Sequence, residues 1–108
     1  MGNRGNIKID DVYLYTHWKG SMTEQIVTAA LRRSRDRWDD SAYLTRIIFC
    51  ELIIEDDFHD TIAELNDTIG YGISTHRIET NYPDVIINTE DQTVNGIPFH
   101  QWIVQPRS

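Results

Sequence analysis

Residues 6–31, NIKIDDVYLYTHWKGSMTEQIVTAAL, change their apolar period part-way, and that change limits the fold more than any other feature. NIKI and VYLYTHW alternate with period two about Asp10 and Asp11, which predicts strands over 6–9 and 12–18 joined by a tight turn. Val12, Leu14, Thr16 and Trp18 then share one face of the second strand, and Tyr13, Tyr15 and His17 the other. Either face suits a core, because period two does not say which is covered. Ser21 stands three residues before Glu24 as a capping box, after which Ile26, Val27, Ala30 and Leu31 recur at helical spacing, predicting a helix over 22–34.

Asp39 or Asp40 supplies a cap for a second helix whose Tyr43, Leu44, Ile47, Ile48, Cys50, Leu52 and Ile54 run apolar almost all round, the pattern of a buried central helix. Glu55, Asp56 and Asp57 open a short amphipathic helix carrying Phe58, Ile62, Leu65 and Ile69. Past Gly70, three antiparallel strands are expected: Tyr71 to Ile78, DVIINT after Pro83, and QTVNGI after a turn at Glu90 and Asp91. Pro98 opens a last short helix with Phe99, Trp102 and Ile103 inward. The order gives an α+β fold of one domain, an antiparallel sheet of about five strands with two main helices packed on one face.

At 108 residues the chain fits one domain able to bury a modest core. Its single cysteine, Cys50 in RIIFCELII, excludes an internal disulfide and reads as a buried, inert thiol. No apolar run approaches the ~18 residues of a membrane span and MGNRGNIKID lacks a signal-peptide block, so a cytoplasmic protein without membrane contact is expected. The net charge is −7, and Glu51, Glu55, Asp56, Asp57, Asp60, Glu64 and Asp67 equal that excess with no Lys or Arg among them. Such a chain is a poor partner for a nucleic-acid polymer, where affinity comes from neutralising many phosphates. A small anionic ligand needs only a few local cations. Arg32, Arg33, Arg35 and Arg37 sit where a helix C-terminus favours positive charge, so they need no ligand.

Four places could carry chemistry. Lys19, Gly20 and Ser21 lead into a helix start, a seat for phosphate or carboxylate unless the capping box already fills its amides. Tyr15, His17 and Trp18 are rings able to hold a flat ligand, and equally able to pack across strands. In GYGISTHR, Gly70 and Gly72 flank Tyr71, and Ser74, Thr75, His76 and Arg77 follow; Arg77 can grip an anion with two hydrogen bonds, while a bent strand explains the glycines. Arg46, the one cation inside the second helix, reaches the surface, pairs with Asp39, Asp40 or Glu51, or points into a polar cavity.

Nothing catalytic is expected. Cys50 with His17, His59 or His76 lacks the electropositive, accessible setting that activates a thiol. Asp56, His59, Asp60 and Glu64 are three and four apart but read as a solvated acidic face more readily than as metal ligands. No Gly-rich phosphate loop, nucleophile elbow or zinc spacing occurs. Neither metal nor cofactor is therefore expected.

GNRGNI, YLYTHWKG, RWDD with YLTRIIF, and GYGISTHR together resemble a group of small proteins carried by phages and prophages, mostly of unassigned function, over about residues 2–78. The resemblance transfers no catalytic residue. It implies an accessory protein acting in the bacterial host cytoplasm during infection, a setting in which unrelated small proteins sequester nucleotide-derived signals of host defence. Two expectations follow, and a third trails them. The first is a non-catalytic binding module, with self-association left open, that captures a small anionic nucleotide-like molecule through Tyr15, His17, Trp18, Lys19, Arg46, Tyr71, Ser74, Thr75 and Arg77. The second is an inhibitor of a host protein acting through the acidic residues 51–67, and the third a small nucleotide-acting hydrolase.

Overall fold

A computed structural model describes residues 3–53 and 71–104. The chain opens with β1 (Gly5–Ile9) and β2 (Val12–Thr16), an antiparallel hairpin in which Ile7 faces Leu14 and Ile9 faces Val12. Asp10 turns it with φ 53°, a conformation that Asp tolerates, and its carboxylate accepts from the Thr89 N–H at 2.9 Å and the Thr89 hydroxyl at 2.6 Å. The hairpin turn is thus anchored 79 residues away.

A 3-10 turn over Gly20–Met22 leads into α1 (Thr23–Arg33), and a second over Arg35–Arg37 leads to α2 (Ser41–Ile53). Then come β3 (Tyr71–Ser74), β4 (Val85–Asn88), β5 (Thr93–Val94), β6 (Ile97–Pro98) and α3 (Phe99–Trp102). The six strands lie in the order β3-β2-β1-β4-β5-β6. This is the expected α+β domain, with two corrections. The sheet has six strands and is mixed, because β1 pairs with β4 in parallel. β3 occupies the free side of β2, so the chain must pass back over 75–84 to reach the free side of β1, and it arrives running in the same direction.

The other departure is local. QTVNGI is not one strand: Asn95 and Gly96 have φ of 50° and 83°, the left-handed pair of a two-residue hairpin turn, so β5 and β6 fold back on each other. Asn95 then closes on β4, its side-chain oxygen accepting from the Ile86 N–H at 2.8 Å and its own N–H donating to the Ile86 carbonyl at 2.7 Å.

One sheet face carries the core. Ile7, Ile9, Leu14, Val85, Ile87 and Val94 lie on it, each almost fully buried and mutually in register, and they meet Val27, Ala30 and Leu31 of α1 and Leu44, Ile48 and Leu52 of α2. Each such Leu or Ile contributes roughly 1.5–3 kcal/mol by leaving water. Phe99, Trp102 and Ile103 close one end as their spacing predicts, with the Trp38 ring edge-on to Phe99 at 5.3 Å and its indole N–H donating to the Leu31 carbonyl at 3.0 Å.

The expectation that α2 is buried all round is wrong. Only Leu44, Ile48 and Leu52, one helical turn apart, are fully covered; Cys50, two residues past Ile48 and so on the far side, is exposed, and the inert buried thiol is corrected with it. Asp40 does cap α2, accepting from the Tyr43 N–H at 3.1 Å. The helix expected over Phe58, Ile62, Leu65 and Ile69 lies outside the described residues.

Candidate functional site

The burial of Leu14 and Thr16 puts Tyr13 and Tyr15 on the sheet face opposite the helices. β2 stops at Thr16, two residues short of the expected end, because the Thr16 hydroxyl accepts from the N–H groups of Trp18 at 3.3 Å and Lys19 at 3.1 Å and turns the chain. Asn3 fixes the outside of this turn, donating from its amide to the Trp18 carbonyl at 2.7 Å. Trp18 is left 45% exposed.

Four rings meet as a result. The Tyr15 hydroxyl bonds to His17 Nδ1 at 3.0 Å, His17 stands edge-to-face with Trp18 at 5.8 Å, and Trp18 edge-to-face with Tyr71 at 5.8 Å. Tyr71 faces Thr16 in the ladder and so belongs to the helix-bearing face, whereas Tyr15 belongs to the open one. The row therefore wraps round the end of β2 from one face to the other. Lys19 completes it, with Nζ 5.7 Å from the Tyr71 ring centroid and 2.8 Å from the Leu52 carbonyl it donates to near the end of α2, where the helix dipole favours a cation.

The expected anion seat at Lys19, Gly20 and Ser21 is already occupied by the chain. Gly20 N–H donates to the Asn3 carbonyl at 2.8 Å, Ser21 N–H to Asn3 Oδ1 at 2.8 Å, and Met22 N–H to the Lys19 carbonyl at 2.9 Å. Met22, not Ser21, stands at the cap of α1, and no side chain caps it, so the predicted capping box does not form. Gly20 serves close packing: a Cβ there would lie 2.5 Å from the Arg4 carbonyl oxygen and 2.7 Å from the Tyr82 ring. Beside this turn, a cavity of about 240 Å³ is lined by Ser21, Thr23, Glu24, Tyr82, Asp84 and Asn95, and its two carboxylates repel an anion.

The remaining candidates are placed elsewhere. Ser74 pairs with Tyr13, at the opposite end of β3 from Tyr71 and about 10 Å away along the strand. Its hydroxyl accepts from the His76 N–H at 2.9 Å, and the Thr75 hydroxyl meets His76 Nδ1 at 3.2 Å. Arg77 makes its two-pronged grip on the chain's own Asp84, through Nε at 2.8 Å and a second nitrogen at 3.3 Å, with Glu79 at 3.4 Å. The Asp84 hydrogen bond and charge raise the Arg77 pKa above its ordinary value. Arg46 takes the surface route, stacking 5.8 Å from the Tyr43 ring that Arg37 covers at 4.4 Å, while Glu51 pairs instead with Arg33 at 3.1 Å.

Of the nine expected ligand residues, Tyr15, His17, Trp18, Lys19 and Tyr71 come together, and Arg46, Ser74, Thr75 and Arg77 do not. Asn3, Thr16 and Asp84 were missed as organisers. Only Thr16 carries a local signal, a hydroxyl at a strand end. Among the described residues no group of three or more His, Cys, Asp or Glu could hold a metal, and no helix is long and apolar enough to cross a membrane. The set Asp56, His59, Asp60 and Glu64, and the acidic stretch beyond Ile53, lie outside the described residues. Comparison with protein-family models, with curated proteins and with solved structures returns no match.

Proposed function

We propose that the protein is a non-catalytic binding module that captures a small, flat, anionic molecule of nucleotide type at the corner formed by Tyr15, His17, Trp18, Tyr71 and Lys19. The carrying observation is the edge-to-face row His17–Trp18–Tyr71 with Trp18 45% exposed. A ring whose edges are held by neighbours is kept in place with its face still able to stack, so a flat ligand meets a pre-set platform at low entropic cost. His17 and Lys19 supply donors beside it for an anionic group. Arg77 and Arg46 have no part in this reading, the first being engaged by Asp84 and the second lying with Tyr43. The resemblance to small phage and prophage proteins supplies the setting, the cytoplasm of an infected bacterium, and sequestration of a defence signal as the purpose.

Titration with mononucleotides and cyclic dinucleotides tests it, following tryptophan emission and Tm. Trp18 is the most exposed of the three indoles, so its emission should be quenched and Tm should rise with ligand. Trp18→Ala should weaken binding about tenfold or more, since stacking on an aromatic ring contributes about 1–3 kcal/mol per base. Unchanged emission and Tm at millimolar ligand would sink the reading.

A further inference from the structure

The sheet ends in two unlike edges. β6 is two residues long and finishes at Pro98, which has no N–H to donate and leads straight into α3, so that edge cannot extend a ladder. β3 is the other edge, and its sequence Tyr-Gly-Ile-Ser carries neither charge nor proline. Only its β2 side is paired within the sheet, and Ile73 on it is 64% exposed. Edges of this kind, uncharged and unblocked, recruit another strand.

We propose that β3 pairs antiparallel with β3 of a second copy of this chain, joining the two sheets into one across a two-fold axis. Opposed residues of an antiparallel pair lie on the same face, which limits the register. Tyr71 and Ile73 share the helix-bearing face, being opposite Thr16 and Leu14 of β2. Centring the axis on Gly72 therefore sets Gly72 against its own copy and Tyr71 against the partner's Ile73, twice by symmetry. An aromatic ring opposite a β-branched side chain is a favourable cross-strand pair, and it covers the exposed Ile73. No charge meets a like charge. Gly72 also gains a reason: a Cβ there would touch only Tyr15 Cβ at 3.9 Å, so nothing within the chain requires glycine, whereas at the axis two bare backbones approach unhindered. With the β6 edge blocked, association closes at two copies and does not propagate.

The pairing does not depend on the ligand reading, and its test uses no ligand. Light scattering of the full chain should show the mass doubling with concentration. The dimer should tighten as salt is added, because the −7 charge on each chain repels and is screened within about 8–10 Å at moderate ionic strength. Ile73→Lys places a charge opposite Tyr71 and should give a monomer with unchanged circular dichroism. Gly72→Cys in a Cys50→Ser background should form a disulfide-linked dimer under mild oxidation. A chain that stays monomeric at several hundred micromolar and moderate salt overturns the proposal, as does a folded Ile73→Lys variant that still dimerises.

Discussion

Asn6 donates from its buried side-chain amide to the Ile78 carbonyl at 2.8 Å and to Asp84 at 3.3 Å, tying the 75–84 crossover to the central strand on the sheet face away from the helices. Arg77 holds the other side of Asp84, and the Asn81 side chain accepts from the Arg4 N–H at 3.1 Å. The crossover is what allows β4 to lie parallel to β1, so these polar contacts maintain the topology and are not spare binding capacity. Asp84→Ala should remove the shared acceptor. The expected outcome is faster amide exchange and proteolysis within 75–84 and a lower Tm, with α1 and α2 still protected; uniform loss of protection would show that the crossover is not a separate unit.

Asn3 should prove to be a helix cap in all but sequence position. Its side chain serves the Ser21 N–H and the Trp18 carbonyl together, so Asn3→Ala is expected to cost about 1 kcal/mol, the usual loss for a removed cap. Thermal melts would register this as a fall of roughly 4–8 °C. Trp18 emission should shift as well, since the turn that presents it loses its outer tie; a melt unchanged from the parent would argue against the capping role.

The phase of α2 makes opposite predictions for two neighbours. Ile48 is fully buried, and Ile48→Ala should destabilise by about 2–5 kcal/mol through lost transfer energy and the cavity left behind. Cys50 is exposed, so Cys50→Ser should stay within about 0.5 kcal/mol of the parent, and the thiol should react fully with an alkylating reagent in the native state. A Cys50 that is protected until the protein unfolds would contradict this placement.

Two glycines divide in the same way. Gly20→Ala drives a methyl against the Arg4 carbonyl, which backbone cannot yield cheaply, and should cost at least the roughly 1–3 kcal/mol typical of overpacking. Gly72→Ala meets open space within the chain and should leave the monomer fold intact. Urea denaturation of both variants checks the contrast.

The sequence by itself determined what neighbours along the chain decide. The β1–β2 hairpin turns at Asp10, α1 buries Ile26, Val27, Ala30 and Leu31, Asp40 caps α2, and α3 turns Phe99 and Trp102 inward, all as their spacing reads. The Asn95–Gly96 turn was equally legible, since two residues favouring positive φ between short β segments signal a hairpin. Tertiary structure alone decided the rest. Which face of β2 is covered, that β4 joins β1 in parallel, that Asn3 fills the helix start, and that Arg77 spends its grip on Asp84 rest on partners brought together only by folding, as when Asn6 meets Ile78 across 72 positions. Period-two alternation is symmetric between faces, and an arginine fork fits any carboxylate within reach, so only the folded chain, by choosing the neighbours, could settle which face and which carboxylate.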